Sequence, residues 1–507
     1  FFLKNFIARH PEIFRKEPEL IVILSAGNNH YEGMIRKYVK PVSAVPHFFY
    51  AVQYSERPFL MQLARNVKKM LLLRAHVLRR KKLYKRVSEN KNQNLIFTTY
   101  PSTWSESTKE DVFLDVLMDE SKDVKPSFYI PFFYDMDELR SWNWNLNPPE
   151  FLRAFPNTFQ LMVIFLSSLV TQCKIKGVKI IEGEGDEMGI MKTVLKTELL
   201  KIASGYDLFV MEKWLLNYFR SIKQKSNLFY QDEVYISGRI ISKAFAESAN
   251  KKIIAYGVQH CVIYDNFGPY QLTDEEISST SEGSENGLPL PSYFLMWGSY
   301  FKNLFLKRNK LPETFAIISG DLRFAIKYEK RNEEDKRFGS DDRMLTLLWC
   351  TTLYEHCVSE CEYFKNYLRN DPRSRLVIRQ HPNSDNKEQL KELMGVELAD
   401  KIEFSDYKGI FEDFYRADVI LATANSTVFI DALVAGKPVV RLHIEAMRYG
   451  INNFRSDLLF DVSSILEFEQ VVIKLKKDRR SHAFEPVSGI DQLLLLDTRK
   501  WKEIIKN

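Results

Sequence analysis

A cationic side chain and an imidazole directly follow an apolar run in the second half of the chain. Residues 376–378 are aliphatic, and Arg379, His381 and Pro382 come immediately after them. Such a run, bounded by turn residues, is typical of a buried strand. Because open α/β sheets bind ligands outside the carboxyl ends of their strands, we expect Arg379 and His381 to contact an anionic ligand such as a phosphate.

A second polar cluster follows another apolar run further along the chain. Residues 419–422 predict a strand, Asn425, Ser426 and Thr427 a polar turn, and the residues after them a helix that leads into a second strand at 439–440. At the start of a helix the backbone N–H groups are unpaired and the helix dipole favours an anion. The pattern therefore predicts a second phosphate contact at Ser426 and Thr427.

Together, residues 379–383 and 422–441 resemble the nucleotide-binding half of GT-B glycosyltransferases that carry a His-Pro motif and a later Ser/Thr pair. This broad group includes bacterial sialyltransferases, capsule transferases and the CDP-glycerol transferases of teichoic acid synthesis. The resemblance implies an α/β fold of the GT-B type, with two Rossmann-like domains facing a cleft. Two further predicted strands end at Gly320 and Thr351. The donor-binding residues implied are Gly320, Thr351, Arg379, His381, Pro382, Asn425, Ser426 and Thr427.

The same resemblance implies an inverting glycosyl transfer to a growing surface glycan, from a CMP-nonulosonate or CMP-Kdo type of donor. No Asp-x-Asp motif follows a predicted strand, so we expect metal-independent transfer and no cofactor, the nucleotide-sugar being a substrate. His381 and Arg379, helped by Lys437 or Arg441, are expected to neutralise the phosphate. No residue is seen to recognise the base, so a UDP- or GDP-sugar, or a glycerophosphate or polyol-phosphate donor, stays open.

A helical pattern, a short strand at 252–256 and Gly257-Val-Gln-His260 form a second point of resemblance. Surface-polysaccharide proteins of the GT-B type commonly carry Gln-His-Gly here, and in the CDP-glycerol transferases the matching histidine is thought to act as base. His260 is therefore the implied general base, since a neutral imidazole can take a proton from an acceptor hydroxyl. Cys261 replaces the glycine, which leaves open a non-catalytic glycan-binding or assembly protein.

Acidic side chains compete with His260 for the role of base. Glu182 and Glu184 lie in a stretch similar to the acidic-acidic-Gly motif that supplies the base in sialyltransferases of this group. Asp232 and Glu233 form another pair before the next predicted helix. Charge runs of this kind are also typical of solvated turns.

Composition indicates a two-domain globular protein, because 507 residues with 45% hydrophobic content can bury more than one core. We expect an N-terminal acceptor-binding α/β domain with helical insertions at 1–285 and a nucleotide-sugar-binding domain at 286–485. Residues 486–507 are expected to form a helix that packs back toward the N-terminal domain. A strand is expected at 20–24, and the acidic, serine-rich residues 271–287 predict a mobile loop between the domains.

Charge and cysteine content limit the partners. The net charge of +6 is too small to imply nucleic acid. Residues 65–86, however, contain ten Lys/Arg and no Asp/Glu among leucines, which indicates either an anionic membrane surface or an ordinary basic helix face. Five cysteines without regular spacing favour a reducing compartment. We therefore expect a cytoplasmic protein, peripheral at the inner face of the cytoplasmic membrane if residues 65–86 contact lipid. The first residue of the sequence is Phe1 rather than methionine.

Overall fold

The computed structural model describes most of the chain beyond residue 91. The described ranges are 92–100, 125–133, 141–177, 206–231, 236–263, 290–321, 344–351, 354–381, 386–406, 410–424, 426–443, 454–477, 489–497 and 499–506, with isolated positions from 68 to 138 and at 451. The strand expected at 20–24 and the loop expected at 271–287 lie outside these residues.

Fourteen strands and twelve α-helices are formed by the described residues. The strands are β1 (Gln93–Tyr100), β2 (Trp104–Ser105), β3 (Glu110–Asp111), β4 (Ser127–Phe133), β5 (Ser226–Tyr230), β6 (Ile253–Val258), β7 (Tyr293–Met296), β8 (Ala316–Ile318), β9 (Leu345–Cys350), β10 (Ser374–Arg379), β11 (Ile402–Phe404), β12 (Val419–Thr423), β13 (Val439–Leu442) and β14 (Leu459–Val462). The helices are α1 (Pro149–Arg153), α2 (Thr158–Gly177), α3 (Tyr206–Ser221), α4 (Ile236–Ser248), α5 (Ser299–Asn309), α6 (Tyr354–Asn370), α7 (Lys387–Met394), α8 (Ile410–Arg416), α9 (Val428–Val434), α10 (Ile465–Lys477), α11 (Ile490–Leu493) and α12 (Arg499–Lys506).

Twelve of the strands form two six-stranded parallel sheets, and β2 and β3 pair with each other in the antiparallel sense. The first has the order β4-β1-β5-β6-β7-β8 and the second the order β11-β10-β9-β12-β13-β14. Strands β5, β9 and β12 are buried at every residue, as expected for parallel strands covered on both faces. The α/β class with two Rossmann-like units, as expected of GT-B, is confirmed.

The second sheet has the doubly wound order, in which the first strand lies at the centre. Strand β9 is followed outward by β10 and β11 on one side and by β12, β13 and β14 on the other. The chain reverses direction across the sheet between β9 and β12, and the carboxyl ends of strands at such a point form the usual ligand crevice. The fold therefore indicates where on this sheet to look for a ligand.

Two strands belong to a different sheet from the one expected. Strands β7 and β8 pair with β6 and with each other in the first sheet, although the boundary at residue 286 assigned them to the second unit. The sequence pattern shows that a segment is a strand but not which strand it pairs with, and this pairing is set by tertiary contacts.

The C-terminal residues pack against the first sheet. Leu495 N donates to Trp297 O at 2.8 Å, and Trp501 Nε1 donates to Gly320 O at 3.1 Å. Further on, Asn227 Nδ2 donates to Ile504 O at 3.0 Å, and Trp501 is buried in the core of the first sheet. Helix α12 therefore belongs to this core, while the domain limits drawn from the sequence stay a prediction. Within the described ranges, no helix is both long and apolar enough to cross a membrane.

Candidate functional site

Three neighbouring strands of the second sheet end beside the point where the sheet reverses. Strands β10, β9 and β12 are adjacent and parallel, so their carboxyl ends lie at one edge. Thr351 follows β9, His381 follows β10, and Ser426 lies in the turn after β12. The fold thus brings to one sheet edge residues that are separated by 30 and 45 positions in the chain.

Thr351 fixes the main chain at His381. Its side-chain Oγ1 accepts a hydrogen bond from His381 N at 3.0 Å, and its own N donates to Arg379 O at 2.9 Å. Thr351 is buried and His381 is half-buried. Since the acceptor is a buried side chain on the central strand, the position of the His381 backbone depends on it.

His381 is electrically neutral near neutral pH in the free protein. Burial lowers the pKa of its imidazole below the ordinary value, because desolvation disfavours the charged form. The ring can donate one hydrogen bond to a phosphate oxygen and, as an anion approaches, becomes easier to protonate. The expected neutralising charge is therefore available only when a ligand is bound.

Arg379 is paired with an acidic side chain of the protein. Its Nη1 contacts Asp413 Oδ2, and the Asp413 side chain is fully buried. Ser405 Oγ donates to the same carboxylate at 2.6 Å. An ion pair with a buried carboxylate is a structural link, so the guanidinium is not an uncommitted charge for a phosphate. Nothing in the sequence around Asp413 indicates this pairing.

Lys437 and Arg441 also have protein partners. Lys437 precedes β13, at the amino edge of the sheet, and its Nζ donates to Ala417 O at 2.9 Å. Arg441 is fully buried and binds Asp461 through Nε at 2.5 Å and Nη2 at 2.9 Å. Burial would raise the pKa of Asp461, but hydrogen bonds from His443 and Arg441 outweigh it and hold that pKa well below its usual range. Arg441 is therefore committed to Asp461, and its expected contribution to neutralising a phosphate stays a prediction.

Three hydroxyl groups lie at the end of β12 and in the turn that follows it. Ser426 Oγ accepts from Val428 N at 3.3 Å, and Thr427, at the N-cap of α9, makes no side-chain capping bond. Thr423, the last residue of β12, is fully buried, and its Oγ1 has no hydrogen-bond partner among the described residues. Thr423 is not among the residues predicted for the site, although it directly follows the apolar run at 419–422.

In the first sheet, Gln259 holds the loop that carries His260. Gln259 Nε2 donates to Cys261 O at 2.8 Å, while its Oε1 accepts from Trp297 N at 2.9 Å. Its carbonyl oxygen also accepts from Trp297 Nε1 at 2.7 Å. His260 is half-buried between these fixed neighbours. The sequence motif contained Gln259, but its positioning role was not recognised.

The segment after His260 packs with strands of the second sheet. Val262 and Ile263 lie in one buried apolar cluster with Cys350 of β9 and Val377 of β10. Cys261 is partly buried and packs against the same cluster. Cys261, which stands where the resembled motif has a glycine, therefore has a packing role. One core joins the His260 loop to the strands that precede Thr351 and His381.

Gly320 lies after β8, at the edge of the first sheet, apart from the other expected donor residues. Its φ is +73°, and a Cβ atom added there would lie 2.0 Å from Leu495 O. Only glycine tolerates both the backbone conformation and this close approach. The C-terminal segment thus explains the glycine, and a role in donor binding stays a prediction.

The remaining expected site residues are not part of the described structure. They are Glu182, Glu184, Asp232, Glu233, Pro382 and Asn425. Across the described ranges, no group of three or more His, Cys, Asp or Glu side chains has the arrangement of a metal site.

Comparisons with known proteins find similarity only among solved structures. No family model and no curated protein matches the chain. It is similar to the UDP-GlcNAc 2-epimerase of Neisseria meningitidis bound to UDP-GlcNAc, with a TM-score of 0.45 and 11% identity over 82% of this chain and 100% of that one. S. aureus MnaA with UDP is similar with a TM-score of 0.43 and 12% identity over 82% of this chain and 95% of that one. The wall teichoic acid polymerase TagF soaked with CDPG is similar with a TM-score of 0.41 and 11% identity over 88% of this chain and 96% of that one.

Proposed function

We propose that the protein is a glycosyltransferase that uses a nucleotide-activated donor, bound at the carboxyl edge of the second sheet. The observation that carries the proposal is the link between Thr351 Oγ1 and His381 N at 3.0 Å, beside the point where the doubly wound sheet reverses. This is the usual ligand crevice of such sheets. The hydrogen bond would hold the half-buried imidazole ready to donate to a donor phosphate.

The commitment of the expected cations to protein partners supports a donor with a single negative charge at its phosphate. Among the described residues, Arg379 is paired with Asp413, Arg441 with Asp461, and Lys437 with a main-chain carbonyl. The phosphate would therefore be held by His381, hydroxyl groups and backbone N–H groups. A CMP-sugar carries one negative charge on its single phosphate, whereas a UDP- or GDP-sugar carries two. This favours a CMP-activated sugar, of the nonulosonate or Kdo type.

His260 is the proposed general base. As the oxygen of an acceptor hydroxyl attacks the anomeric carbon, its proton passes to the imidazole, the bond from the anomeric carbon to the phosphate oxygen breaks, and the nucleotide leaves. Such a direct displacement inverts the anomeric configuration. The fixed bonds of Gln259 on either side of His260 support a positioned base, which contributes about 10²–10⁴-fold to rate. The proposed acceptor is a surface glycan or a lipid-linked glycan, and the proposed compartment is the cytoplasm.

A nucleotide panel tests the proposal. CMP, CDP, UDP and GDP are each titrated by thermal shift, and CMP-, UDP- and GDP-sugars and CDP-glycerol are then tested for nucleotide release with glycan acceptors. We expect CMP to stabilise the wild type and not His381→Ala, because bound ligand stabilises only the folded state that holds it. Joint replacement of Ser426 and Thr427 by Ala should weaken binding less, since backbone donors remain.

Four results would redirect the proposal. Stabilisation of His381→Ala equal to that of the wild type would contradict the site. Release of nucleotide only from CDP-glycerol would favour glycerophosphate transfer. Binding without turnover of any donor would favour a glycan-assembly protein, and conversion of the donor to its epimer would contradict glycosyl transfer.

A further inference from the structure

Helix α2 carries an exposed apolar stripe. Five large side chains along it are between 45% and 69% exposed, namely Phe159, Met162, Val163, Leu166 and Val170. At 3.6 residues per turn they fall within an arc of about 100° on one face. Leu161, Ile164 and Ser168 of the same helix are buried on the opposite face. The helix is thus anchored in the core on one side and presents a continuous apolar surface on the other.

A stripe of this kind is unusual on the surface of a soluble protein. Single exposed apolar residues are common, but a contiguous apolar patch indicates a site of interaction. Helix α2 also contains no acidic residue, and its only charged residues are Lys174 and Lys176 near its end. The partner must therefore accept an apolar surface on a helix that carries no acidic residue.

A basic segment lies beside the first turn of α2. Arg74 Nη1 donates to Pro156 O at 3.3 Å, just before the helix begins. The described positions between 68 and 79 are helical, with Val77 buried in the first core. Their outward face carries Lys68 and Arg79 as well as Leu72 and Leu78, which are 44% and 43% exposed. Cationic and apolar side chains thus share one exposed face of a segment that contacts the residue range just before α2.

We propose that the stripe of α2 and the basic face of residues 68–79 together dock on an anionic lipid bilayer. Apolar side chains would enter the interface while Lys and Arg side chains contact the headgroups, the combination that holds peripheral helices on membranes. A second copy of the chain is disfavoured, because a two-fold interface pairs the same surface of both copies, and α2 has no acidic residue to meet the basic face of residues 68–79. Nucleic acid is disfavoured because it offers no surface for five exposed aliphatic and aromatic side chains.

The inference deepens the proposed function, since a lipid-linked acceptor would be met at such a surface. The biological role of the docking surface rests on the proposed glycosyl transfer. Vesicle binding, however, requires neither donor nor turnover, so the docking surface and the transferase activity can fail independently of each other. A protein that binds vesicles but no nucleotide would keep the docking surface and contradict the transferase. A protein that binds nucleotide but no vesicles would contradict the docking surface and leave the proposed transferase standing.

Vesicle co-sedimentation tests the docking surface directly. The full chain is mixed with phosphatidylcholine vesicles, with or without roughly one-third phosphatidylglycerol. Phe159→Ser/Leu166→Ser is expected to lower the partition coefficient on anionic vesicles about tenfold or more, because two half-exposed apolar side chains no longer enter the interface. The matched control is Leu466→Ser/Ile473→Ser, which removes side chains 64% and 46% exposed from α10. Helix α10 contains acidic residues, so this control should bind like the wild type.

A charge variant separates the electrostatic contribution. Lys68→Gln/Arg79→Gln should lower the partition coefficient about fivefold for each charge on anionic vesicles and leave it unchanged on neutral ones. Equal binding by the wild type and the Phe159/Leu166 variant would overturn the proposal. So would a dimer in sedimentation analysis that the same variant abolishes while vesicle binding stays unchanged, since a second copy would then cover the stripe. A lower melting temperature of that variant, without a change in vesicle binding, would show that the chain itself covers it.

Discussion

Replacing Thr351 by Val should weaken nucleotide binding through the His381 backbone. The variant keeps the side-chain shape but removes Oγ1, the acceptor of the 3.0 Å bond from His381 N. An unpaired buried donor costs about 1–3 kcal/mol. Because His381 is only half-buried, water compensates in part and the lower end of that range applies. The free energy of unfolding should therefore fall by about 1 kcal/mol.

The loss of affinity follows from the displaced imidazole. If the histidine backbone shifts, its hydrogen bond to the donor phosphate is weakened or lost, and a loss of about 1.4 kcal/mol corresponds to tenfold in the dissociation constant. Isothermal titration calorimetry with CMP measures the affinity, and urea unfolding measures the stability. Both are compared with the wild type at the same pH and salt concentration.

Thr346 at the other end of the same strand provides a matched control. It is also buried, and its Oγ1 accepts a bond from Arg375 Nε at 2.9 Å. Thr346→Val should lose a similar amount of stability because one acceptor is again removed. Its nucleotide affinity should not change, since it lies at the amino edge of the sheet. Equal affinities for the two variants would refute the reasoning that the carboxyl edge holds the nucleotide.

Three further outcomes are expected. His260→Asn should lower turnover about a hundredfold, as lost base catalysis does, with unchanged CMP affinity in calorimetry; turnover within a few-fold of the wild type would exclude His260 as base. Gly320→Ala should lose more stability in urea than Gly489→Ala, because both have positive φ but only the former places a Cβ 2.0 Å from Leu495 O; equal losses would contradict this packing. Burial lowers the pKa of His381, so unfolding takes up a proton below about pH 6.5, and the free energy of unfolding of the wild type decreases as the pH is lowered through that range. Urea unfolding at about pH 5.5 should show a smaller decrease for His381→Gln. An equal decrease in both proteins would contradict the burial of the imidazole.

The parts of the fold that the sequence predicted are those set by local pattern. The apolar runs at 376–378 and 419–422 lie in β10 and β12, because strands buried on both faces are continuously apolar. Thr351, His381 and Ser426 were therefore found at strand ends from sequence alone. That they share one edge was inferred from the resemblance and is supported by the strand order.

The parts that the sequence did not predict depend on tertiary partners. Strands β7 and β8 belong to the first sheet and not, as the boundary at residue 286 implied, to the second. The residues of a short apolar run do not indicate which strand it pairs with. Arg379 was expected to meet a phosphate, and its pairing with Asp413 joins residues from two elements that no spacing relates. Gly320 was explained by a ligand rather than by Leu495, since both need a close approach to backbone.

The central claim is that a nucleotide phosphate binds beside His381 at the carboxyl edge of the second sheet. A crystal structure of the chain with CMP tests it most directly. We expect phosphate oxygens at about 2.7–3.2 Å from the His381 ring and from donors of the turn after β12, the range of normal hydrogen bonds. CMP bound at any other place, with the edge formed by Thr351, His381 and Ser426 unoccupied, would contradict it.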